Sequence, residues 1–301
     1  MKFRQIEIDD YEKVSQLLID SGIENCEHCF ATMLVWAKRY DILLAVEENT
    51  IFMRSYGKEH VWYLYPRGEM DKKQAIEKIL HDAGGKKVSI YGIDEENAVF
   101  LQENFGDILD VQEDRNGSDY IYRRSDLAQL PGKKYQKKRN HVSRFIRENP
   151  DYRFIAITAE NIHLAKQFEI DWCERYNTAS SWDLASEQQG ILQLLDNFER
   201  LNLMGAMIET GGQIVAMSIA ASINHRMVDV LVEKAYHDVN GAYAIINRDF
   251  AANCFSQFEL INREDDMGLE NLRKAKMSYF PVKSEKNIWH SPDKQEILCR
   301  F

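Results

Sequence analysis

A run of acidic residues near the end of the 301-residue chain is the first place where the sequence could do chemistry. The apolar segment FELIN is followed by the run Arg263 to Asp266 and then by Gly268. Strand ends beside turns often carry functional groups in α/β proteins. Glu264 and Asp265 are therefore predicted catalytic residues, either as a general base or as partners of a substrate ammonium. The alternative is a solvated acidic turn that caps the next helix.

Basic residues follow on the predicted helix GLENLRKAKMSYF. Arg273 and Lys276 are three residues apart and therefore neighbours on one helix face, with Lys274 between them in sequence. They could hold a phosphate or carboxylate of a ligand together with Arg263. They could equally pair with Glu270 and with the acids that precede the helix. We predict these four basic residues to bind substrate, and the ion-pair alternative stays open.

A second candidate is the segment from Asp238 to Tyr243, which joins a predicted strand to a predicted helix. A helix N-terminus presents free N–H groups and the positive end of the helix dipole, so it suits an anionic ligand. The alternative is an Asn-Gly turn followed by a capped helix, which ordinary turn chemistry would produce.

The segment PGKKYQKKRNHVSRFIRENP has seven basic residues and one acid in a chain of net charge −10. Val142, Phe145 and Ile146 have helical spacing, which predicts a helix with one apolar face. Such a helix could line a groove for tRNA or another phosphate-bearing ligand. The alternative is a solvated linker helix. The residues predicted to contact a polyanion are Lys133, Lys134, Lys137, Lys138 and Arg139.

Composition and cysteine usage indicate the setting. Five scattered cysteines favour a reducing compartment, and no stretch reaches the roughly 18–20 apolar residues of a membrane span. The N-terminus lacks the apolar core of a signal peptide. Cys26 and Cys29 form half of a zinc pattern without a second pair, so no metal site is predicted. We expect a cytoplasmic protein without integral membrane association.

The elements that must position these residues occur twice in the same order. Each half reads as a strand, two helices, a three-strand meander, a helix, a strand and a helix. The order predicts an α/β protein with mixed sheets. The predicted division is a first domain over residues 1–130, a basic linker helix over 131–149, and a second domain over 150–301 that carries the site.

Three segments resemble one known family: DYIYRRSDLAQLPGKKYQKKRNHVSRF, VEKAYHDVNGAYAIINRDF and INREDDMGLENLRKAKMSYFPV. They are similar to the family of the C-terminal domain of bacterial phosphatidylglycerol lysyltransferase, over about residues 24–282. The resemblance implies a tandem GNAT-like fold, related in design to the Fem-type transferases that use aminoacyl-tRNA. The large membrane domain of the lysyltransferase has no counterpart here, which argues against phosphatidylglycerol as the acceptor.

The resemblance also assigns roles to residues. Gly241 matches the central glycine of the loop that binds the acetyl-CoA pyrophosphate in GNAT enzymes, whereas Asp238 and Tyr243 depart from that loop and oppose an anionic ligand. Glu233 lies at the strand edge that lines the GNAT transfer site, and we predict it as the base. Tyr243 or Tyr279 could return a proton to the leaving group. Asn247, one turn into the helix, is a predicted substrate-binding residue.

The function predicted on this basis is transfer of an aminoacyl or acyl group to an amine or hydroxyl, with aminoacyl-tRNA as the possible donor. No cofactor is certain, and acyl-CoA is the less favoured donor because of Asp238. The two alternatives are an acyl-CoA-dependent N-acyltransferase and a ligand-binding protein that kept the fold without the chemistry.

Overall fold

The computed structural model describes residues 1–57, 60–176 and 182–290. The first half contains β1 Arg4–Gln5, α1 Tyr11–Asp20, α2 Phe30–Tyr40, β2 Leu43–Glu47, β3 Thr50–Tyr56, β4 His60–Gly68, α3 Lys72–Ala83, β5 Lys87–Tyr91 and α4 Glu95–Phe105. The connecting elements are β6 Val111–Arg123, α5 Arg124–Gln129 and α6 Gln136–Glu148. The second half contains β7 Arg153–Ala156, α7 Ile162–Arg175, α8 Trp182–Asp196, β8 Met204–Thr210, β9 Gln213–Ser222, β10 Met227–Ala235, α9 Ala242–Asn253, β11 Leu260–Asn262, α10 Glu270–Met277 and β12 Lys283–His290.

Two mixed sheets form the framework of the protein. The first has the strand order β1-β2-β3-β4-β5, and the second has the order β12-β6-β11-β10-β9-β8-β7. In each sheet an antiparallel three-strand meander ends on a strand that pairs in parallel with the strand after the next helix, β4 with β5 and β10 with β11. The α/β architecture with mixed sheets predicted from the element order is therefore confirmed.

Strand β6 lies early in the chain but belongs to the second sheet, where it pairs with β11 and β12. The sheets therefore divide the chain between β5 and β6, whereas the predicted domain boundary lies after residue 130. Strand β6 continues through the turn-like residues Asn116 and Gly117, because its pairing with β12 resumes past an irregularity between Asp114 and Asp119. The basic segment does form the predicted helix, α6.

Apolar packing joins the two halves. One buried cluster combines Leu34 of α2 with Val232 of β10, so residues of both halves share a core. A second cluster packs Phe145 of α6 and Phe250 of α9 on the second sheet. A third places Ile76 of α3 on the first sheet. Helices α6 and α9 therefore cover one face of the second sheet, and α2 covers the other.

The parallel pairing of β10 and β11 ends early. Its last register pair is Asp229 with Asn262, while β10 continues to Ala235 and carries an irregularity between Val230 and Val232. Residues just beyond this point are no longer tied to a neighbouring strand on the β11 side. The end of the pairing therefore leaves room for side chains from both strand ends to meet.

Candidate active site

Glu233 is the centre of a group of side chains at the end of β10, which we call the Glu233 site. Its carboxylate accepts a hydrogen bond from Arg263 Nη2 at 2.7 Å and one from Asn247 Nδ2 at 3.0 Å. The Arg263 and Glu233 side chains are only 12% and 13% exposed. Lys138 and Tyr279 complete the site, because the Lys138 Nζ lies 3.7 Å from the centroid of the Tyr279 ring and the Arg263 guanidinium lies 5.0 Å from it.

The surroundings change the protonation of two members of the Glu233 site. Burial, helped by the positive charge of Arg263, lowers the pKa of Lys138 to about 8. Burial raises the pKa of the Tyr279 phenol well above its usual range. Lys138 can therefore exchange a proton near neutral pH, whereas Tyr279 stays protonated.

Two polar atoms of the Glu233 site have no hydrogen-bond partner among the described residues, although both are buried. They are the Arg263 Nη1, which is a donor, and the Asn247 Oδ1, which is an acceptor. Leaving a buried polar group unpaired is costly, so such atoms are usually satisfied by a ligand or by water. Each atom therefore lacks the partner that buried polar groups usually have, an acceptor for Arg263 Nη1 and a donor for Asn247 Oδ1.

A small cavity, which we call the Glu264 cavity, lies on the opposite face of β10. It has a volume of about 30 Å³ and is lined by Thr32, Val35, Trp36, Glu187, Ile191, Leu231, Val232 and Glu264. Its walls come from α2, α8 and β10. Next to it, Lys234 Nζ forms ion pairs with Glu169 at 2.7 Å and Glu187 at 2.9 Å, and Glu169 Oε2 has no partner among the described residues.

A cluster of carboxyl groups lies behind the Glu264 cavity, and we call it the carboxyl cluster. Burial is the largest cause of a raised pKa in all five carboxyl groups of the cluster. The pKa of Glu27 is raised to about 8 and that of Asp265 to about 7. The pKa values of Asp119, Asp229 and Glu264 are raised as well. Neighbouring carboxylates add to the shifts of Glu27, Asp229, Glu264 and Asp265, whereas hydrogen bonds and Lys276 oppose that of Asp119. At neutral pH the cluster therefore holds protons that ordinary carboxyl groups would have lost.

Hydrogen bonds and one lysine fix the carboxyl cluster. Asp119 accepts from Asn262 Nδ2 at 2.7 Å and from the Cys26 backbone N–H at 2.8 Å. Lys276 Nζ donates to the backbone carbonyl of Arg263 at 2.5 Å and also to that of Asp265. Burial lowers the pKa of Lys276, although the surrounding acids oppose that shift. The lysine predicted to bind substrate therefore holds the turn after β11 by its backbone.

The other residues predicted around α10 lie apart from the Glu233 site. Arg273 donates two hydrogen bonds to Asp266, at 2.7 and 2.8 Å, and this pairing helps to lower the pKa of Asp266 to about 2, although burial opposes it. Lys274 pairs with Glu270 at 2.6 Å on the exposed side of the helix. In the structure these residues therefore have the ion-pair partners of the alternative interpretation, and their substrate-binding role stays a prediction.

The residues of the predicted polyanion segment differ in their positions. Lys133 and Lys137 are exposed, and Lys134 lies 3.8 Å from Asp126. Arg139 donates to the carbonyls of Leu130 and Gly132 and thereby holds the turn before α6. Lys138 alone of the five reaches the Glu233 site.

The turn before α9 is covered by α6. A Cβ atom on Gly241, which has φ +84°, would lie 2.6 Å from the carbonyl oxygen of His141 and 3.0 Å from Phe145. Asp238 pairs with Arg175 at 2.6 Å, and the Tyr243 side chain is exposed. Gly241 therefore accommodates the close approach of a helix, and its role in substrate binding stays a prediction.

Several buried polar residues near the site were not predicted from the sequence. Asp229 is fully buried in β10, accepts a hydrogen bond from Thr32 at 3.1 Å, and has one oxygen without a partner among the described residues. Its position inside the apolar run MVDVLV was the available signal. Asp119 and Asn262 gave no comparable signal, because their meeting depends on the pairing of β6 with β11.

The part of the chain that the structure describes has neither a membrane-spanning helix nor a cluster of metal ligands. No helix there is long and apolar enough to cross a membrane. No group of three or more His, Cys, Asp or Glu side chains in those residues could hold a metal ion. Cys26 and Cys29 are buried free thiols, and Cys26 Sγ lies 3.1 Å from an oxygen of Asp119.

Comparisons with known proteins give a consistent result. Residues 21–289 match the family model described as phosphatidylglycerol lysyltransferase, C-terminal. A conserved protein of unknown function from Bacteroides thetaiotaomicron VPI-5482 is 34% identical, with a TM-score of 0.91 over 97% of this chain and 100% of that one. The L-PGS of Bacillus licheniformis is 16% identical, with a TM-score of 0.65 over 94% and 92% of the two chains. These matches show that the chain belongs to this family and confirm the predicted fold of its C-terminal domain, with mixed sheets flanked by helices.

One curated relative covers less of the chain. An uncharacterized protein of Mycoplasmoides gallisepticum is 25% identical over 171 residues, which are 55% of this chain and 53% of that protein. The chain therefore spans about half the length of the curated relative that it matches.

Proposed function

Because the chain belongs to the family of phosphatidylglycerol lysyltransferase C-terminal domains, we propose that it is a transferase that moves an aminoacyl group from aminoacyl-tRNA to an amine or hydroxyl. The family and the GNAT-like fold support a transferase in general. The choice of donor rests on the Glu233 site and on the basic helix beside it.

The observation that carries the proposal is the pair of unpartnered atoms in the Glu233 site. Arg263 Nη1 needs an acceptor and Asn247 Oδ1 needs a donor. An aminoacyl ester offers both within a few atoms, since its carbonyl oxygen accepts and its ammonium donates. An acetyl thioester offers the carbonyl but no donor, so the asparagine oxygen would stay unpaired. The site therefore favours an aminoacyl group over an acetyl group.

Two features around the Glu233 site support a nucleic-acid donor. Lys138 lies in the site while Lys133, Lys134 and Lys137 continue the basic surface away from it, which suits a phosphate backbone that ends in the reacting group. The turn at Gly241, where a CoA pyrophosphate would lie in a GNAT enzyme, is filled by α6.

The proposed reaction takes place at the Glu233 site, where the donor ester is held. The acceptor nitrogen or oxygen attacks the ester carbonyl carbon, a new C–N or C–O bond forms, and the bond to the ribose oxygen breaks. Glu233 takes the proton of the nucleophile, because a carboxylate with two hydrogen bonds retains further lone pairs. Arg263 Nη1 stabilises the negative charge that develops on the carbonyl oxygen. Tyr243 returns a proton to the leaving ribose oxygen.

Calorimetric titration with a non-hydrolysable aminoacyl-adenosine mimic and with acetyl-CoA tests the donor. We expect the mimic to bind and acetyl-CoA to bind weakly or not at all. Asn247→Leu should weaken the affinity for the mimic by about 10-fold or more, because the ammonium group of the mimic loses its hydrogen-bond partner. Asn253→Leu, at the far end of α9, serves as the control. Micromolar binding of acetyl-CoA with no response to the mimic would overturn the donor assignment.

A transfer assay tests the chemistry separately. Labelled aminoacyl-tRNA is incubated with a panel of amines and hydroxyl compounds, and Glu233→Gln is expected to lower the rate by about 100-fold or more. Mimic binding without transfer to any acceptor in the panel would favour the ligand-binding alternative.

A further inference from the structure

Three aromatic side chains form a row on the surface beside the Glu233 site, and we call it the ring row. Tyr176 and His237 stack with their centroids 4.3 Å apart and their planes 29° apart. His237 and Tyr243 follow at 6.0 Å and 31°. Neighbouring rings are therefore moderately tilted from one another, and the His237 and Tyr243 side chains are exposed.

The ring row is held in place by its backbone and remains accessible. The Tyr176 hydroxyl accepts a hydrogen bond from the His237 backbone N–H at 2.8 Å. Tyr243 lies in the first turn of α9, and its side chain is 36% exposed. Rings that are positioned by the backbone but open to solvent lose little conformational freedom when a flat partner stacks on them.

The ring row is also close to the reacting groups. Tyr243 is near enough to Glu233 for the carboxylate to affect the ionisation of the phenol. Trp172, which contacts both Tyr176 and His237, donates from its Nε1 to the carbonyl of Ala235, the last residue of β10. A ligand stacked on the row would therefore have its neighbouring groups at the end of β10.

We propose that the ring row is the stacking platform for the terminal nucleobase of an aminoacylated RNA donor. The assignment rests on the proposed function. It specifies which part of the donor, the terminal nucleobase, binds to the ring row. A nucleobase fits because it presents a flat π face of matching size, and such stacking tolerates any base. One ribose separates that base from the ester, which allows the ester to reach Glu233 while the base lies on Tyr243.

The test uses two small probes, the non-hydrolysable aminoacyl-adenosine mimic and the same aminoacyl ribose without a base. Stacking on the ring row should make the base-containing probe bind about 5-fold to 100-fold more tightly to the unaltered chain. Tyr243→Ala should remove most of that difference, and Tyr243→Phe should retain it because the ring remains. Tyr56→Ala, an exposed tyrosine of β3, is the matched control.

The outcomes separate this inference from the proposed function. Equal binding of the two probes, or a preference for the base that survives Tyr243→Ala and His237→Ala, would overturn the platform while leaving the donor assignment intact. Preference for the base that depends on Tyr243, together with an absence of transfer from aminoacyl-tRNA, would retain the platform and overturn the transfer. If neither probe binds, both assignments are overturned.

Discussion

The ion pair between Glu233 and Arg263 allows a quantitative test of how the site is built. Both side chains are nearly buried, and their closest atoms are 2.7 Å apart. Changing Glu233 to Gln and Arg263 to Met, singly and together, gives a double-mutant cycle that isolates their interaction. Removing one partner of a buried pair leaves the other charge uncompensated, which costs about 3 kcal/mol or more. Asn247 still contacts residue 233 when Arg263 is changed, which relieves part of this cost. We therefore expect a coupling free energy between residues 233 and 263 of about 2–3 kcal/mol.

The matched control is the pair Arg226–Glu259, which has the same closest distance of 2.7 Å but side chains that are 65% and 67% exposed. The same substitutions are made there, and free energies of unfolding are measured in urea for all variants. Solvent screens an exposed pair, so its coupling should be far smaller. Equal couplings for the two pairs would refute the view that burial makes the Glu233 pair a fixed part of the site.

Three further predictions follow from individual residues. Gly241→Ala should lower the free energy of unfolding by more than about 2 kcal/mol, because the new Cβ atom would meet α6. Gly211→Ala should lower it by only roughly 1 kcal/mol, the cost of a positive φ in a residue with a side chain, because no atom lies within 4 Å of its Cβ position. Urea unfolding of both variants checks the difference. An acylating reagent should label Lys138 at a rate that levels off above about pH 8, because a pKa of about 8 leaves about half of its amino groups uncharged at that pH. Peptide mass spectrometry measures the rate against pH, and a rate that still rises steeply above about pH 9 would contradict the prediction. The raised pKa of Glu27 means that the folded state holds a proton that the unfolded state releases. The stability that this proton contributes is complete below about pH 4.5 and is lost as the pH rises to about 8. Glu27→Gln should therefore flatten the fall in the free energy of unfolding between about pH 5 and pH 8, and an unchanged slope would count against the prediction.

The sequence predicted the architecture because its periodicities are local. The meander strands, the helix of the basic segment and the element order of each half all follow from patterns within short windows. The place of β6 could not be obtained in this way, because its partners β11 and β12 are more than a hundred residues away. From its position in the chain alone, β6 was predicted to belong to the first half.

The same limit applies to the Glu233 site. Glu233 and Asn247 were singled out through the family resemblance and Arg263 because it follows a strand end, and in the structure Glu233 bonds both of the others. The contact of Lys138 depends on the packing of α6 on α9, which no sequence spacing reveals. Asp119 and Asp229 meet Glu264 through neighbouring strands, so single-sequence reasoning had no means to group them.

The end of the pairing between β10 and β11 explains how one turn can serve two faces of the sheet. Arg263 and Glu264 are consecutive, yet Arg263 bonds Glu233 on the side of α9, whereas Glu264 lines the cavity on the side of α2. Glu264 has a positive φ of 53° in the turn after β11, and the register pairs between β10 and β11 have ended before this turn. The backbone of the turn is held there by Lys276, whose hydrogen bonds to the carbonyl oxygens of Arg263 and Asp265 fix the positions of Arg263 and Glu264.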